Sequence, residues 1–168
     1  MLAVADAFDD LLAANRRFAE SFERGGFDGV AHAGVAIVTC MDSRIDPLGL
    51  LGLQPGDAKI VRNPGGRVTS DALDALILAV HVLGVRRILV VPHTRCAMVL
   101  NTEQELRDRV SESSGLDASD QHFAVVSDQR AALHADVARV RSHPLVPPSV
   151  LVGGFVYDVD TGLLAQEC

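Results

Sequence analysis

The sequence predicts one α/β domain over residues 1–168, with a mostly parallel central β-sheet flanked by helices. Two observations carry this. Short apolar runs rich in Val and Ile, such as Gly34-Val35-Ala36-Ile37-Val38-Thr39 and Ile88-Leu89-Val90-Val91-Pro92, have the length and composition of buried strands. Helical periods alternate with them, the pattern of a parallel sheet with right-handed crossovers. No linker, low-complexity tract or internal repeat divides the chain.

Taken in order, apolar Val4, Phe8, Leu11, Leu12 and Phe18 give a helix over about 3–22, ended by Gly25-Gly26. A strand follows over Val35 to Thr39. Asp46-Pro47 opens a short helix, since proline suits a first turn. Asp57 to Arg62 reads as the second strand. Ser70 is the expected N-cap of a helix through Leu83, with Asp71 in its first turn and Gly84 past its end. Arg87 to Val91 is the third strand. Thr102 and Glu105 fit a capping box. The polar stretch Ser111 to Gln121 reads as a surface loop. Asp128 through Arg141 is helical, stopped near Pro144, and Val150 to Tyr157 is the last strand.

Composition narrows the function. Length suits one domain with a proper core, and 48% hydrophobic with 22% charged residues is ordinary for a globular chain. A net charge of -7 argues against nucleic acid, whose phosphates need a basic face. No signal peptide is visible. The most apolar helical stretch, Ala72 to Val85, contains Asp74 and His81 and is too short to span a bilayer. Three cysteines, two with a metal role below, point to a reducing cytoplasm rather than a disulfide scaffold.

The chemistry sits where strands end, the edge at which parallel sheets build their sites. Cys40-Met41-Asp42-Ser43-Arg44 follows the first strand and His93-Thr94-Arg95-Cys96 the third. Cys40, His93 and Cys96 make the Cys2His set of a catalytic zinc site, with a fourth position left open. A structural knuckle would need a fourth ligand at close spacing, and neither motif supplies one. Zinc makes water nucleophilic near neutral pH, able to attack an electrophilic carbon such as that of CO2. Two thiolates leave that water less acidic than three imidazoles would, so activity should rise from neutral to alkaline pH. Asp42 and Arg44, two apart in an extended segment, project to one side and can pair bidentately. Asn63-Pro64-Gly65-Gly66 follows the second strand, with glycines that permit close backbone approach.

These motifs resemble a β-class carbonic anhydrase of the short bacterial type. They are C-x-D-x-R at Cys40, Asp42 and Arg44; R-N-x-G-G at Arg62, Asn63, Gly65 and Gly66; and H-x-x-C at His93 and Cys96. Leu12, Asn15, Arg16 and Phe18 are similar to the family's N-terminal helix, and Gly154 to Asp158 to its last strand. The resemblance implies one zinc per chain on Cys40, His93 and Cys96, and reversible hydration of CO2 to bicarbonate and a proton by zinc-bound hydroxide. It implies an Asp42–Arg44 dyad that accepts the hydroxide's proton and keeps the carboxylate off the metal. Gly65 and Gly66 would line the substrate pocket. It implies a homodimer, or a dimer of dimers, with the N-terminal helix packed on the partner subunit. Some members close at lower pH, when the aspartate becomes a fourth ligand, favoured by a bicarbonate pocket that includes a tryptophan. This chain has no Trp, so an open site is expected near neutral pH.

The chain departs from the family pattern at Arg95, Ala97 and Pro64, without loss of a ligand or dyad member. Two other readings stay open: hydrolysis of carbonyl sulfide or carbon disulfide on the same zinc, and a zinc-binding regulatory protein without turnover. The second predicts a fourth protein ligand. Taken singly, Cys40 reads as a small buried hydrophobe. His81 reads as packed or interfacial, and His32, His122, His134 and His143 as surface residues, none singled out as a proton shuttle. Cys168 is expected to be exposed.

Overall fold

A computed structural model describes residues 6–168. Five strands form one sheet: β1 (Val35–Cys40), β2 (Ala58–Asn63), β3 (Arg87–Val91), β4 (Leu151–Tyr157) and β5 (Leu164–Gln166), in the order β2-β1-β3-β4-β5. β1 lies parallel to β2 and β3, and β3 parallel to β4; β5 returns antiparallel to β4. The mostly parallel α/β expectation therefore holds. Central β1 is buried at every position, as a strand covered on both faces requires.

Its side chains alternate. Ala36 and Val38 face a core made with α2 (Ser70–Val82) and α5 (Gln129–Arg141), chiefly Leu76, Leu133, Val137 and Val140. Val35 and Ile37 face the other way, with Val91, beneath Leu51, Leu53 and Phe155. Helices thus cover one face of the sheet, and that second cluster contains no helix residue among those described apart from Leu51 in a 3-10 turn. Fully burying a side chain such as Ile37 contributes about 1.5–3 kcal/mol.

Local signals explain most boundaries. α4 (Glu103–Ser114) begins with the expected capping box between Thr102 and Glu105, and Asp128 caps α5 by accepting from the Ala131 N–H. Ser70 is instead the first residue of α2; the cap is Thr69, whose hydroxyl accepts from the Ala72 N–H. The short helix at Asp46-Pro47 is a single 3-10 turn over Gly49–Leu51, held by Asp46 Oδ1 on the Gly49 N–H. α4 runs on to Ser114 and ends at left-handed Gly115, so the surface loop starts there rather than at Ser111. A four-residue helix, α3 (Ala97–Leu100), follows the second motif.

The N-terminal helix divides into a 3-10 turn, Asp6–Phe8, and α1 (Asp9–Glu20); the predicted start, with Val4, lies outside the described residues. Nothing in α1 is buried. At the other end the chain returns to β4, where Gly154 and Cys168 exchange backbone hydrogen bonds. Cys168 is half-buried against the main core, not exposed, because a hydrogen at Gly154 leaves room for its sulfur.

Candidate metal centre

Parallel pairing places the motifs side by side. Cys40 ends β1 opposite Asn63, and His93 lies two residues past β3, bridged to Tyr157 at the end of β4. The Thr94 N–H donates to Tyr157 O at 2.9 Å, and the Gln129 side chain donates to His93 O at 2.9 Å. Three elements therefore fix the turn that carries His93 and Cys96.

The metal-ligating atoms of Cys40, His93 and Cys96 lie within 4.8 Å of one another, and all three residues are buried. The sulfurs are 3.9 Å apart. His93 Nδ1–H donates to Thr94 O at 2.8 Å, which leaves the Nε2 lone pair aimed at the cluster. That Nε2 is buried without a hydrogen-bond partner, a costly state that a metal relieves. The Cys40 thiol is pushed down, first by the hydrogen bond from Cys96, and the same contact pushes Cys96 up: one proton serves two sulfurs. A divalent cation suits that shortage, since both sulfurs ligate as thiolates. The Gly65 N–H also donates to Cys40 Sγ, at 3.3 Å. Orphaned imidazole and paired sulfurs fit zinc in a site with an open position.

Asp42 and Arg44 form the bidentate pair. Arg44 Nε donates to Oδ1 at 2.9 Å and its terminal nitrogen to Oδ2 at 2.7 Å. The segment is a turn rather than an extended stretch, because Asp42 Oδ1 also accepts the Arg44 backbone N–H at 2.9 Å. The Arg44 guanidinium holds the Asp42 carboxyl well below the usual carboxylate range. Asp42 Oδ2 is 3.8 Å from His93 Nε2, so the carboxylate borders the ligand cluster without hydrogen bonding to it.

Gly65 and Gly66 close the floor at positive φ, 84° and 65°. A Cβ on Gly66 would stand 2.9 Å from the Cys40 nitrogen, so only glycine fits there. Their amides are committed, Gly65 to Cys40 Sγ and Gly66 to Asn63 O. Two sets of contacts beside the site were not expected from the sequence, although Arg62 itself belongs to the R-N-x-G-G motif. Arg62 donates to the carbonyls of Cys40, Asp42 and Ile45, clamping the whole first motif. Asp136, on α5, accepts from the Arg67 side chain and the Val68 N–H, tying the loop after Gly66 to the core. Arg95 points away from the cluster to pair with Asp160. It is the one described non-glycine residue at positive φ, 54°, and its carbonyl accepts from Arg44 at 3.3 Å. Ala97 starts α3 and Pro64 is exposed.

Of the remaining histidines, His81 is exposed and bonds Leu145 O, His32 pairs with Asp28, and His134 is exposed on α5. His143 is half-buried and accepts from the Leu145 N–H. His122, also exposed, pairs with Glu103.

Comparison with known proteins agrees with this geometry. The carbonic anhydrase family profile matches residues 35–164. Beta-carbonic anhydrase 1 of Mycobacterium tuberculosis (strain H37Rv) is 33% identical over 161 residues, covering 94% of this chain and 96% of that one. A carbon disulfide hydrolase of Acidianus sp. is 34% identical over 155 residues, with 77% and 75% covered. The crystal structure of carbonic anhydrase from Streptococcus mutans superimposes with a TM-score of 0.86 at 34% identity over 100% of both chains. A Cys2His cluster beside an Asp–Arg pair, at the ends of parallel strands, accompanies full-length likeness: the chain belongs to the β-class carbonic anhydrases.

Proposed function

We propose that Cys40, His93 and Cys96 hold the zinc of a carbonic anhydrase that hydrates CO2 to bicarbonate, and that Asp42 and Arg44 are its working dyad. The observation that carries this is the bidentate Asp42–Arg44 pair beside the orphaned His93 Nε2. Zinc supplies Lewis acidity, which makes water a nucleophile near neutral pH.

The chain's own residues supply orientation. Arg44 occupies one edge of the Asp42 carboxylate, and a carboxylate offers about four lone-pair positions, so Oδ2 keeps acceptor capacity toward the cluster. Oδ2 accepts the O–H of the nucleophile and turns its lone pair toward the substrate carbon. Arg44 keeps that carboxylate ionised and off the metal. Gly65 and Gly66 border the substrate as bare backbone, which keeps the floor free of side chains. Arg62 holds the carbonyls on which this geometry rests.

A regulatory zinc protein would need a fourth protein ligand. The cluster has three members among the described residues, and Asp42 is engaged elsewhere. The deciding assay is hydration of CO2 by metal-replete protein, beside its zinc stoichiometry, with carbon disulfide and carbonyl sulfide as competing substrates. Turnover of carbon disulfide without CO2 hydration would replace this reading.

The same reading makes the protein a homodimer, or a dimer of dimers, in the cytoplasm. Support for assembly is the exposed apolar face at the N-terminus, where Phe8, Leu11, Leu12 and Phe18 are all more than half exposed. Support for a reducing compartment is three free cysteines. No helix among the described residues is long and apolar enough to cross a membrane.

A further inference from the structure

Among the described residues one carboxylate is buried, Asp136 at 5% exposure, and no step of CO2 hydration uses it. A buried carboxylate is costly unless hydrogen bonds offset the loss of water. Three do so here. Arg67 Nε donates to Oδ2 at 2.6 Å, its terminal nitrogen to Oδ1 at 3.1 Å, and the Val68 N–H to Oδ2 at 3.1 Å. Three positions further along α5, Arg139 donates to Val68 O at 2.6 Å. Side chains three apart share a helix face, so α5 grips both backbone groups of Val68. Seven positions before Asp136, Gln129 of the same helix holds His93 O.

From Arg67 the contacts run on to a metal ligand. Asn63 Oδ1 accepts the Arg67 N–H at 2.8 Å, and the Asn63 side-chain amide donates to Arg67 O at 2.7 Å. Asn63 O in turn accepts the N–H of Gly66 at 3.2 Å and that of Met41, next to Cys40, at 3.1 Å. Gly65, inside this loop, places its N–H on Cys40 Sγ at 3.3 Å. The glycines have no side chains with which to pack, and a void of about 10 Å³ lies among Gly65, Gly66, Ala132 and Leu133. Packing beneath the loop is therefore incomplete, and the hydrogen bonds to Asp136 set its height.

We propose that Asp136 is a positioning residue of the metal centre: through Arg67 and Val68 it holds the Asn63 to Gly66 loop where the Gly65 N–H meets Cys40 Sγ. A hydrogen bond to a ligating sulfur draws electron density from it and fixes its direction, and so adjusts how that sulfur binds a cation. Without the Asp136 carboxylate, Arg67 turns to solvent and the loop shifts, carrying the amide off the sulfur. The inference goes beyond the ligand set and the dyad, and rests on the metal-site reading of Cys40, His93 and Cys96.

The test compares Asp136→Asn, Arg67→Met and the double variant with Val137→Ala. That control removes buried apolar volume from the same helix and touches none of these hydrogen bonds. The Arg67 side chain is 29% exposed, so its variant breaks the contact from the end that leaves no hole in the core. Zinc affinity is read by competition with a chelator, and the Cys40 sulfur by the sulfur-to-metal charge-transfer band of cobalt-loaded protein. Each single variant weakens zinc about 10- to 100-fold and moves the band to longer wavelength. The double variant is no worse than either single one, because both side chains act through one loop. Val137→Ala lowers the melting temperature and leaves affinity and band in place. Unchanged affinity and band in Asp136→Asn and Arg67→Met overturn the proposal. So does an equal change in Val137→Ala, which marks a merely structural role. A wild-type protein that binds neither zinc nor cobalt removes the metal-site reading, and the anchor with it; tight wild-type binding with indifferent variants removes the anchor alone.

Discussion

Single residues decide whether the site holds a metal and whether the metal is used. Cys96→Ser replaces a buried thiolate with a hydroxyl. Zinc per chain should fall from one to near zero, and hydration with it; full activity in metal-free Cys96→Ser protein would contradict the ligand assignment. Arg44→Ala separates the two functions. Zinc should remain while kcat/KM falls about 100-fold, since the carboxylate loses its orienting partner. The pH dependence has a fixed sign. A depressed carboxylate contributes stability that is present above its unfolded value, about 4, and is lost as pH falls through its folded value. The difference in melting temperature between wild type and Arg44→Ala should stay level from about pH 8 to about pH 5 and shrink below about pH 4. A difference that grew with acidity would exclude the pair as its source. The Cys40, His93 and Cys96 cluster and the Asp42–Arg44 pair were legible in the sequence as neighbours because each member lies within a few residues of a strand end. The clamp from Arg62 and the anchor from Asp136 were not: the Arg67–Asp136 pair spans 69 positions, and only the fold brings it together.

Secondary-structure elements set how closely the motifs approach. Gly66 lies against the backbone of β1, where a Cβ would stand 2.9 Å from the Cys40 nitrogen at a φ of 65°. Gly66→Ala should cost about 2 kcal/mol or more in denaturant unfolding and loosen zinc, because the displaced atom belongs to a ligand. A neutral Gly66→Ala would show that β1 and the glycine loop can part without consequence. The first four strands were legible as short β-branched runs. The fifth was not, since Leu164–Gln166 is three residues long and pairs only along the edge of β4. The left-handed turn at Arg95 was also invisible, because arginine carries no preference for that backbone region.

At the scale of the whole molecule, α1 is a helix with no buried residue. Four large side chains, Phe8, Leu11, Leu12 and Phe18, stand in solvent. Sedimentation at micromolar protein should show a dimer or larger, and Leu11→Asp with Leu12→Asp should shift it toward monomer. An active wild-type monomer under those conditions would sink the assembly. The sequence marked this helix as amphipathic, but a single chain cannot reveal which surface receives it.

The two cysteines at the metal centre are separated by 56 positions, and their sulfurs meet across β1 and the turn after β3. A cation bound to both is in effect a clasp between two halves of the chain. Closing a loop of that length removes on the order of 4 kcal/mol of unfolded-state entropy. Zinc should therefore govern how the protein melts as well as what it catalyses. Chelator-treated protein should unfold at lower temperature, and graded return of zinc should raise the transition with the logarithm of its free concentration.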